Sequence, residues 1–258
     1  MGTQKYRLTE NHINIGNRIL YQIEALKDFG NVKAGDLGGY IESEENLSQY
    51  DNAWVYGDAQ VYGNAQVHGN AWVCDNAKVF GDAQVHGNAW VHGNAEVFGN
   101  AKVFGNAQVY DNAEVFGNAQ VFGDAKVRDN AEVFGNAQVF GDAKVRGNAQ
   151  VCDNAEVFGD AEVSDNARVY GNAEVYGNAQ IKSVRDYIVF KNWWSSGRYF
   201  TWTRSNNMWK VGCFFGTGEE LIKKAYNDSK ESGREYERVV RYVEEILEEN
   251  YENKENRN

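Results

Sequence analysis

A mainly β fold, wound into a three-sided parallel solenoid, is what this sequence predicts, and three observations predict it. From Asp51 to Lys182 the chain divides into 22 hexads without an insertion. Within each hexad alanine and a β-branched aliphatic residue hold fixed places two apart, from Ala53 and Val55 to Ala179 and Ile181. Proline is absent from all 258 residues, where average usage gives about a dozen. A missing N–H would break a strand ladder, so its absence suits uninterrupted pairing.

The hexad reads Gly/Asp, Asn/Asp, Ala, variable, Val, variable. Ala and Val fall on one side of an extended strand, and the residue between them falls on the other. Gly-Asn or Gly-Asp then supplies a bend, because both residue types tolerate positive φ. A strand so short, bent so regularly, cannot lie flat. Three hexads close one triangular coil, and the stacked coils pair as parallel strands. The 22 hexads make about seven coils, roughly 35 Å long at the usual strand spacing of about 4.8 Å.

Residues 1–50 predict a β cap. "KYRLTE" and "RILYQIEAL" read as strands, and "DFGNVKAGDLGGYIESEENLSQ" reads as a degenerate first turn or two. An open coil exposes an edge, so solenoids need such ends. Residues 51–182 are the repeat. Residues 183–258 differ in kind and predict a small α+β domain, two or three strands followed by two helices. "DYIVFKNWW" and "GRYFTWTRSNNMWKVGCFF" are the strands, with "SNN" a hairpin turn. Thr217-Gly-Glu-Glu220 and Ser232-Gly-Arg-Glu235 match the capping box. Tyr236, Val239, Val240, Val243 and Leu247 form one apolar stripe of the second helix. The tail "EENYENKENRN" reads as frayed.

At this point the hexads resemble the hexapeptide-repeat, left-handed parallel β-helix family, whose mark is an aliphatic residue at every sixth position with a small residue two before it. The opening "IEALKDFGNVKAGDLGGYIE" and closing "FKNWWSSGRYFTWTRSNNMWKVGCF" further resemble phage- and prophage-borne hexapeptide-repeat proteins of gut bacteria. That resemblance implies an accessory protein acting on a host component. Many hexapeptide-repeat proteins are acyltransferases, with acyl-CoA held between subunits of a trimer and a histidine as general base. This chain departs from that pattern. His68, His86 and His92 sit on ordinary hexads, and no loop leaves the repeat to build a cleft around them. The expectation is a protein that is not an enzyme and uses no cofactor. Cys74 with His92, and His68 with His86, give two neighbouring ligands at most, so no metal site is expected. "GTGEE" lacks the lysine and spacing of a phosphate loop.

A net charge of −11 argues against direct binding to duplex DNA or an anionic membrane. It suits a host protein with a basic surface. Three widely spaced cysteines, Cys74, Cys152 and Cys213, argue for a reducing cytoplasm, here that of a bacterial host.

Stacking makes residues 18 apart neighbours, which turns variable positions into columns. Glu96, Glu114 and Glu132 form one acidic column, and Asp124, Asp142 and Asp160 form another. Like charges opposed across strands are destabilising, so such columns are candidate partner-binding sites, with Lys126 and Lys144 expected to relieve the aspartates in part. Two long aromatic ladders, Phe98–Phe116–Phe134 and Phe104–Phe122–Phe140, join Trp54–Trp72–Trp90 as candidate oligomer or partner interfaces, since so large an apolar area is unusual on a monomer. A dimer or trimer is expected. In the last segment Trp193, Trp194, Arg198, Trp202, Arg204 and Trp209 are candidate ligand-binding residues, because aromatics with arginine can stack on and neutralise a nucleotide; the alternative is that these tryptophans form the core of a domain too small to have another.

The functional expectation is therefore a non-enzymatic, rigid acidic β-solenoid that occupies a host macromolecule. A nucleic-acid-binding defence effector, reached by nucleic-acid mimicry, is the leading target. The alternatives are a sponge for a nucleotide signal and an acyltransferase.

Overall fold

The computed structural model describes residues 4–255, and the side chains among them as far as Glu248. The chain divides into two compact units, Met1–Val184 and Arg185–Asn258.

The first unit is the solenoid. Each hexad contributes one two-residue strand, from β4 (Trp54–Val55) to β25 (Gln180–Ile181). The strands fall in rotation into three sheets. One carries Gln60, Lys78, Glu96, Glu114, Glu132, Gln150 and Arg168 at its outward positions and is here the glutamate sheet. The next carries Gln66, Gln84, Lys102, Gln120, Gln138, Glu156 and Glu174, the glutamine sheet. The third runs from Trp54, Trp72 and Trp90 through Gln108, Lys126, Lys144 and Glu162 to Gln180, the tryptophan sheet. Ala and Val of each repeat are buried almost completely. Successive coils are held by backbone bonds at up to three points of each hexad, as in Gln108 N–H to Ala125 (2.9 Å), Tyr110 N–H to Val127 (3.0 Å) and Asn112 N–H to Asp129 (2.8 Å).

At the turn, the first hexad residue has a positive φ from Gly57 onward. Glycine fills most of these places, as Gly105 does at +71°. Aspartate takes the same conformation at Asp75, Asp111, Asp129, Asp153 and Asp165. There the carboxylate accepts the N–H one coil on: Gly93 to Asp75 (2.9 Å), Gly147 to Asp129 (3.0 Å) and Gly171 to Asp153 (3.0 Å). These bonds offset the left-handed strain of a non-glycine residue.

The cap begins with β1 (Tyr6–Ile15) and β2 (Arg18–Ala25), an antiparallel pair. β3 (Leu37–Ile41) pairs antiparallel with β2 and parallel with β5 (Gln60–Val61) of the glutamate sheet. Leu47 bridges in parallel to Val67. Together with the repeat they complete eight coils, one more than the hexads alone make. Asn46 stands in for strand backbone, donating to Gly63 O (3.0 Å) and Ala65 O (2.9 Å) while accepting from Glu42 and Ser43. Lys5 is buried across the first coil. Its Nζ donates to Ala53 O (2.8 Å) and Asp51 O (3.1 Å) and lies over Phe29. Trp54 is covered by Tyr6 and Phe29.

The second unit is a four-stranded antiparallel meander, β26 (Tyr187–Lys191), β27 (Tyr199–Thr203), β28 (Met208–Val211) and β29 (Phe214–Gly216), followed by α1 (Gly218–Asp228) and α2 (Lys230–Glu255). The "SNN" turn is present, with Asn207 at φ 53°. The Thr217–Glu220 capping box is present as expected. The second helix starts earlier than Ser232. Ser229, the C-cap of α1, has a side chain that accepts the Ser232 N–H (3.0 Å), so it takes the capping role the sequence assigns to Ser232. The apolar stripe packs as read: Tyr236, Val240 and Val243 are buried, and Val239 and Leu247 pack beside them. The tail is helical backbone as far as Glu255 rather than frayed, and residues 256–258 lie outside the described residues.

Candidate partner-binding surface

Glu96, Glu114 and Glu132 stand in register on adjacent parallel strands of the glutamate sheet. The ends of the column are satisfied. Lys78, in register with Glu96, donates to it at 2.8 Å. Gln150 donates to Glu132 at 3.0 Å. Among the described residues Glu114 has no hydrogen-bond donor and no ion pair. Partial burial, with Glu96 and Glu132 on either side, pushes its carboxyl above the usual carboxylate range. Each ionised neighbour disfavours ionisation of the middle one. The column is thus a line of three carboxylates with an unneutralised centre. Lys78 and Gln150 are the residues that column counting overlooks, although both stand 18 residues from the glutamates they serve.

Asp124, Asp142 and Asp160 also follow one another at 18-residue steps, but elsewhere. They belong to the turn from the glutamine sheet to the tryptophan sheet. In a three-sided coil that vertex is opposite the glutamate face, so the two acidic columns form no common surface. The aspartates line an open groove of about 620 Å³ with Asn106, Gln108, Lys126 and Lys144. Asp124 ends an asparagine ladder, accepting from Asn106 at 2.9 Å. Among the described residues neither Lys126 nor Lys144 pairs with these aspartates. A buried alanine, Ala125 or Ala143, separates the two positions, so the lysines line the same groove from the tryptophan sheet without direct contact.

The aromatic ladders form as the 18-residue spacing predicts. Phe98, Phe116 and Phe134 stack at the vertex between the glutamate and glutamine sheets, with centroids 4.9–5.0 Å apart and planes within a few degrees. Phe104, Phe122 and Phe140 stack at the opposite vertex beside the aspartates, at 4.8 Å. The rings use their faces on one another, and all six are half-buried. Each ladder therefore presents a strip of half-buried rings along its vertex. Along the tryptophan column Trp54 is buried, Trp72 is half-buried and Trp90 is 38% exposed.

The histidines are also vertex rungs, His68 and His86 in line with Phe104 and His92 at the third vertex, between the tryptophan and glutamate sheets. His68 stacks on His86 (4.8 Å), which stacks on Phe104 (5.0 Å). His92 stacks on Tyr110 (5.0 Å) and lies 3.8 Å from Asp75. Burial lowers the pKa of His86 and His92. Among the described residues no group of three or more His, Cys, Asp or Glu is placed to hold a metal ion.

In the second unit the six candidate ligand residues do not converge. Trp202 and Trp209 are core, packed with Phe200 and the two helices. Trp202 Nε1 donates to Asn207 (2.9 Å). Trp194 packs edge-on against Tyr236, and Arg204 Nε is buried without a partner. Only Trp193, 73% exposed, and Arg198 are open to solvent. A domain this small uses its tryptophans to build its core.

The profile of a family described as "YdcK Beta solenoid repeat" matches residues 59–75 and 107–123. Each match begins on a hexad alanine and is one residue short of a full coil. The first begins in the glutamate sheet and the second in the tryptophan sheet, so the common unit is the hexad and not a particular face. No curated protein matches the chain. Among the described residues no helix is long and apolar enough to cross a membrane. The chain is a β-solenoid repeat protein.

Proposed function

We propose that the chain is a non-enzymatic binding protein whose glutamate column receives basic side chains of a protein partner. The unneutralised Glu114 between Glu96 and Glu132 carries this reading. An arrangement that is unfavourable in the free protein becomes favourable when a cation is brought to it, because the like-charge repulsion is relieved and a charge-assisted bond is gained. The stacked Phe80–Phe98–Phe116–Phe134 edges run beside the column and supply an apolar border. A host nucleic-acid-binding protein in a bacterial cytoplasm, such as a defence effector, is the partner class to test first. The protein acts as a dimer or trimer that multiplies this surface. The histidines support a binding role over acyl transfer, since their rings are engaged in vertex stacks.

The test is native mass spectrometry of the protein purified from a bacterium expressing candidate defence systems, repeated with each acidic column reversed to lysine separately. A complex with a basic protein, lost on reversing Glu96, Glu114 and Glu132 and kept on reversing Asp124, Asp142 and Asp160, supports the reading. A complex indifferent to the glutamates, or acetyl-CoA turnover that depends on one histidine, overturns it.

A further inference from the structure

The second unit contains a cleft of about 200 Å³ whose walls include Asn192, Arg198, Phe200, Val211, Cys213 and Tyr236. Its polar groups are unbalanced. Asn192 is 4% exposed. Its Oδ1 accepts from the Ser195 N–H (2.9 Å) and hydroxyl (3.0 Å), which fixes the amide orientation. Its Nδ2 donates to the Tyr236 hydroxyl oxygen at 2.9 Å. Tyr236 is 8% exposed. Because its oxygen takes the Asn192 proton, its own O–H remains a donor, and among the described residues nothing accepts it. The second Nδ2 hydrogen of Asn192 is likewise without an acceptor. Arg198 makes no ion pair among the described residues, and no Asp or Glu lines the cleft. Two nearly buried donors with no bonded acceptor and a guanidinium therefore line a space that holds no carboxylate, and buried donors call for an acceptor. Phe200 and Val211 give the same space an apolar wall.

We propose that this cleft binds a small organic carboxylate, with the carboxylate held by Arg198, Tyr236 Oη and Asn192 Nδ2 and a short apolar body against Phe200 and Val211. The space is below the roughly 300 Å³ at which drug-sized ligand sites begin, so a whole nucleotide does not fit it. The proposal is independent of the glutamate column.

Cys213 provides the readout. It is the exposed thiol of the three, Cys74 being half-buried and Cys152 buried. The full chain is treated with N-ethylmaleimide while benzoate is titrated, with benzyl alcohol as the neutral control and calorimetry on the same solutions. Benzoate should slow Cys213 modification saturably, with a dissociation constant at or below the millimolar range, and benzyl alcohol should not. Arg198→Gln, at an exposed position, should weaken benzoate by on the order of tenfold or more. Tyr236→Phe should weaken it less, and if that variant fails to fold, Arg198→Gln decides alone. No saturable binding by either method, equal protection by benzyl alcohol, or undiminished affinity in Arg198→Gln would each overturn the proposal.

Discussion

Glu114→Gln should make the free protein more stable and its partner complex weaker. The replacement keeps the side chain's shape and removes only the charge. Glu114 faces a glutamate on each side at one strand spacing, about 4.8 Å. Two unit charges about 5 Å apart repel by about 0.8 kcal/mol in water, and by several times that at a protein surface of lower effective dielectric. Cross-strand pair interactions are worth about 0.2–1 kcal/mol each, and like charges act in the unfavourable sense. Lys78 and Gln150 already relieve the outer members, so the lower half of that range applies to each pair. The expected gain is about 1 kcal/mol, or about 2–4 °C in Tm for a unit of this size.

The pH dependence follows from the raised carboxyl pKa. A raised folded-state value means that stability is fully present below the unfolded value, usually 4.5, and is lost as pH rises through the folded value. The advantage of Glu114→Gln should therefore be present at pH 7 and vanish below pH 4.5. It should also shrink in molar salt, where the screening length falls to about 3 Å. Differential scanning calorimetry at two pH values and two salt concentrations checks all of this. A variant that melts at or below the wild type at pH 7 in low salt would show that the column carries no repulsion and refute the reasoning.

Gly105→Ala should destabilise more than Gly171→Ala. Both glycines are left-handed, but a Cβ on Gly105 meets Gly123 N at 2.9 Å and O at 3.1 Å, whereas one on Gly171 meets nothing within 4 Å. The open site should lose about 1–2 kcal/mol for the backbone conformation alone, the crowded one more, with Gly105→Asp milder than Gly105→Ala because its carboxylate can take the Gly123 N–H. Urea denaturation of the three variants ranks them. Burial pushes the Lys5 ammonium down to about 8, against the opposing pull of Asp51. The unfolded chain then holds more protons than the fold between pH 8 and 10.5, so wild-type stability should rise with pH across that window relative to Lys5→Met, as read from Tm differences at pH 7.5 and 10. Trp202→Ala should cost about 3–5 kcal/mol as a core deletion and Trp193→Ala should stay within about 0.5 kcal/mol, measured by near-ultraviolet circular dichroism melts.

Much of the first unit was legible because its repeat is short and strict. Ala and Val two apart fix which side is buried, and the unbroken hexad fixes which residues stack. The eighth coil was less legible, since β3 and Leu47 join the sheets without the hexad, using Asn46 in place of backbone. Counting by 18 places neighbours along the axis and is silent across it. Hence Glu114 and Asp124 read as members of two acidic columns, and only the coil shows that the columns stand on opposite sides. In the second unit, Thr217 and Ser232 carry the same capping signature, and only the chain path shows that Ser229 already supplies the acceptor. Trp202 and Trp193 are indistinguishable as letters. Pairing of β27 with β26 and β28 puts one inside and leaves the other out.

The net charge of −11 suggests a uniformly acidic rod, yet the carboxylates have different duties. Asp75, Asp129 and Asp153 accept backbone N–H groups from the next coil and hold the turns. Asp82 accepts from Asn64, and Asp124 terminates an asparagine ladder. Glu162 is bound by Arg146. Neutralising any of these disturbs the coil, so their charge is in large part committed to the fold. Glu114 holds nothing up. A charge that costs stability and supports no contact is the kind retained for something outside the free protein. A partner that merely sensed overall negative potential would respond equally to any of these residues. A partner that docks on the glutamate face would respond to Glu96, Glu114 and Glu132 alone, in a straight line at strand spacing and unlike the wound phosphates of a duplex. Any nucleic-acid mimicry would therefore be of charge and not of helical shape.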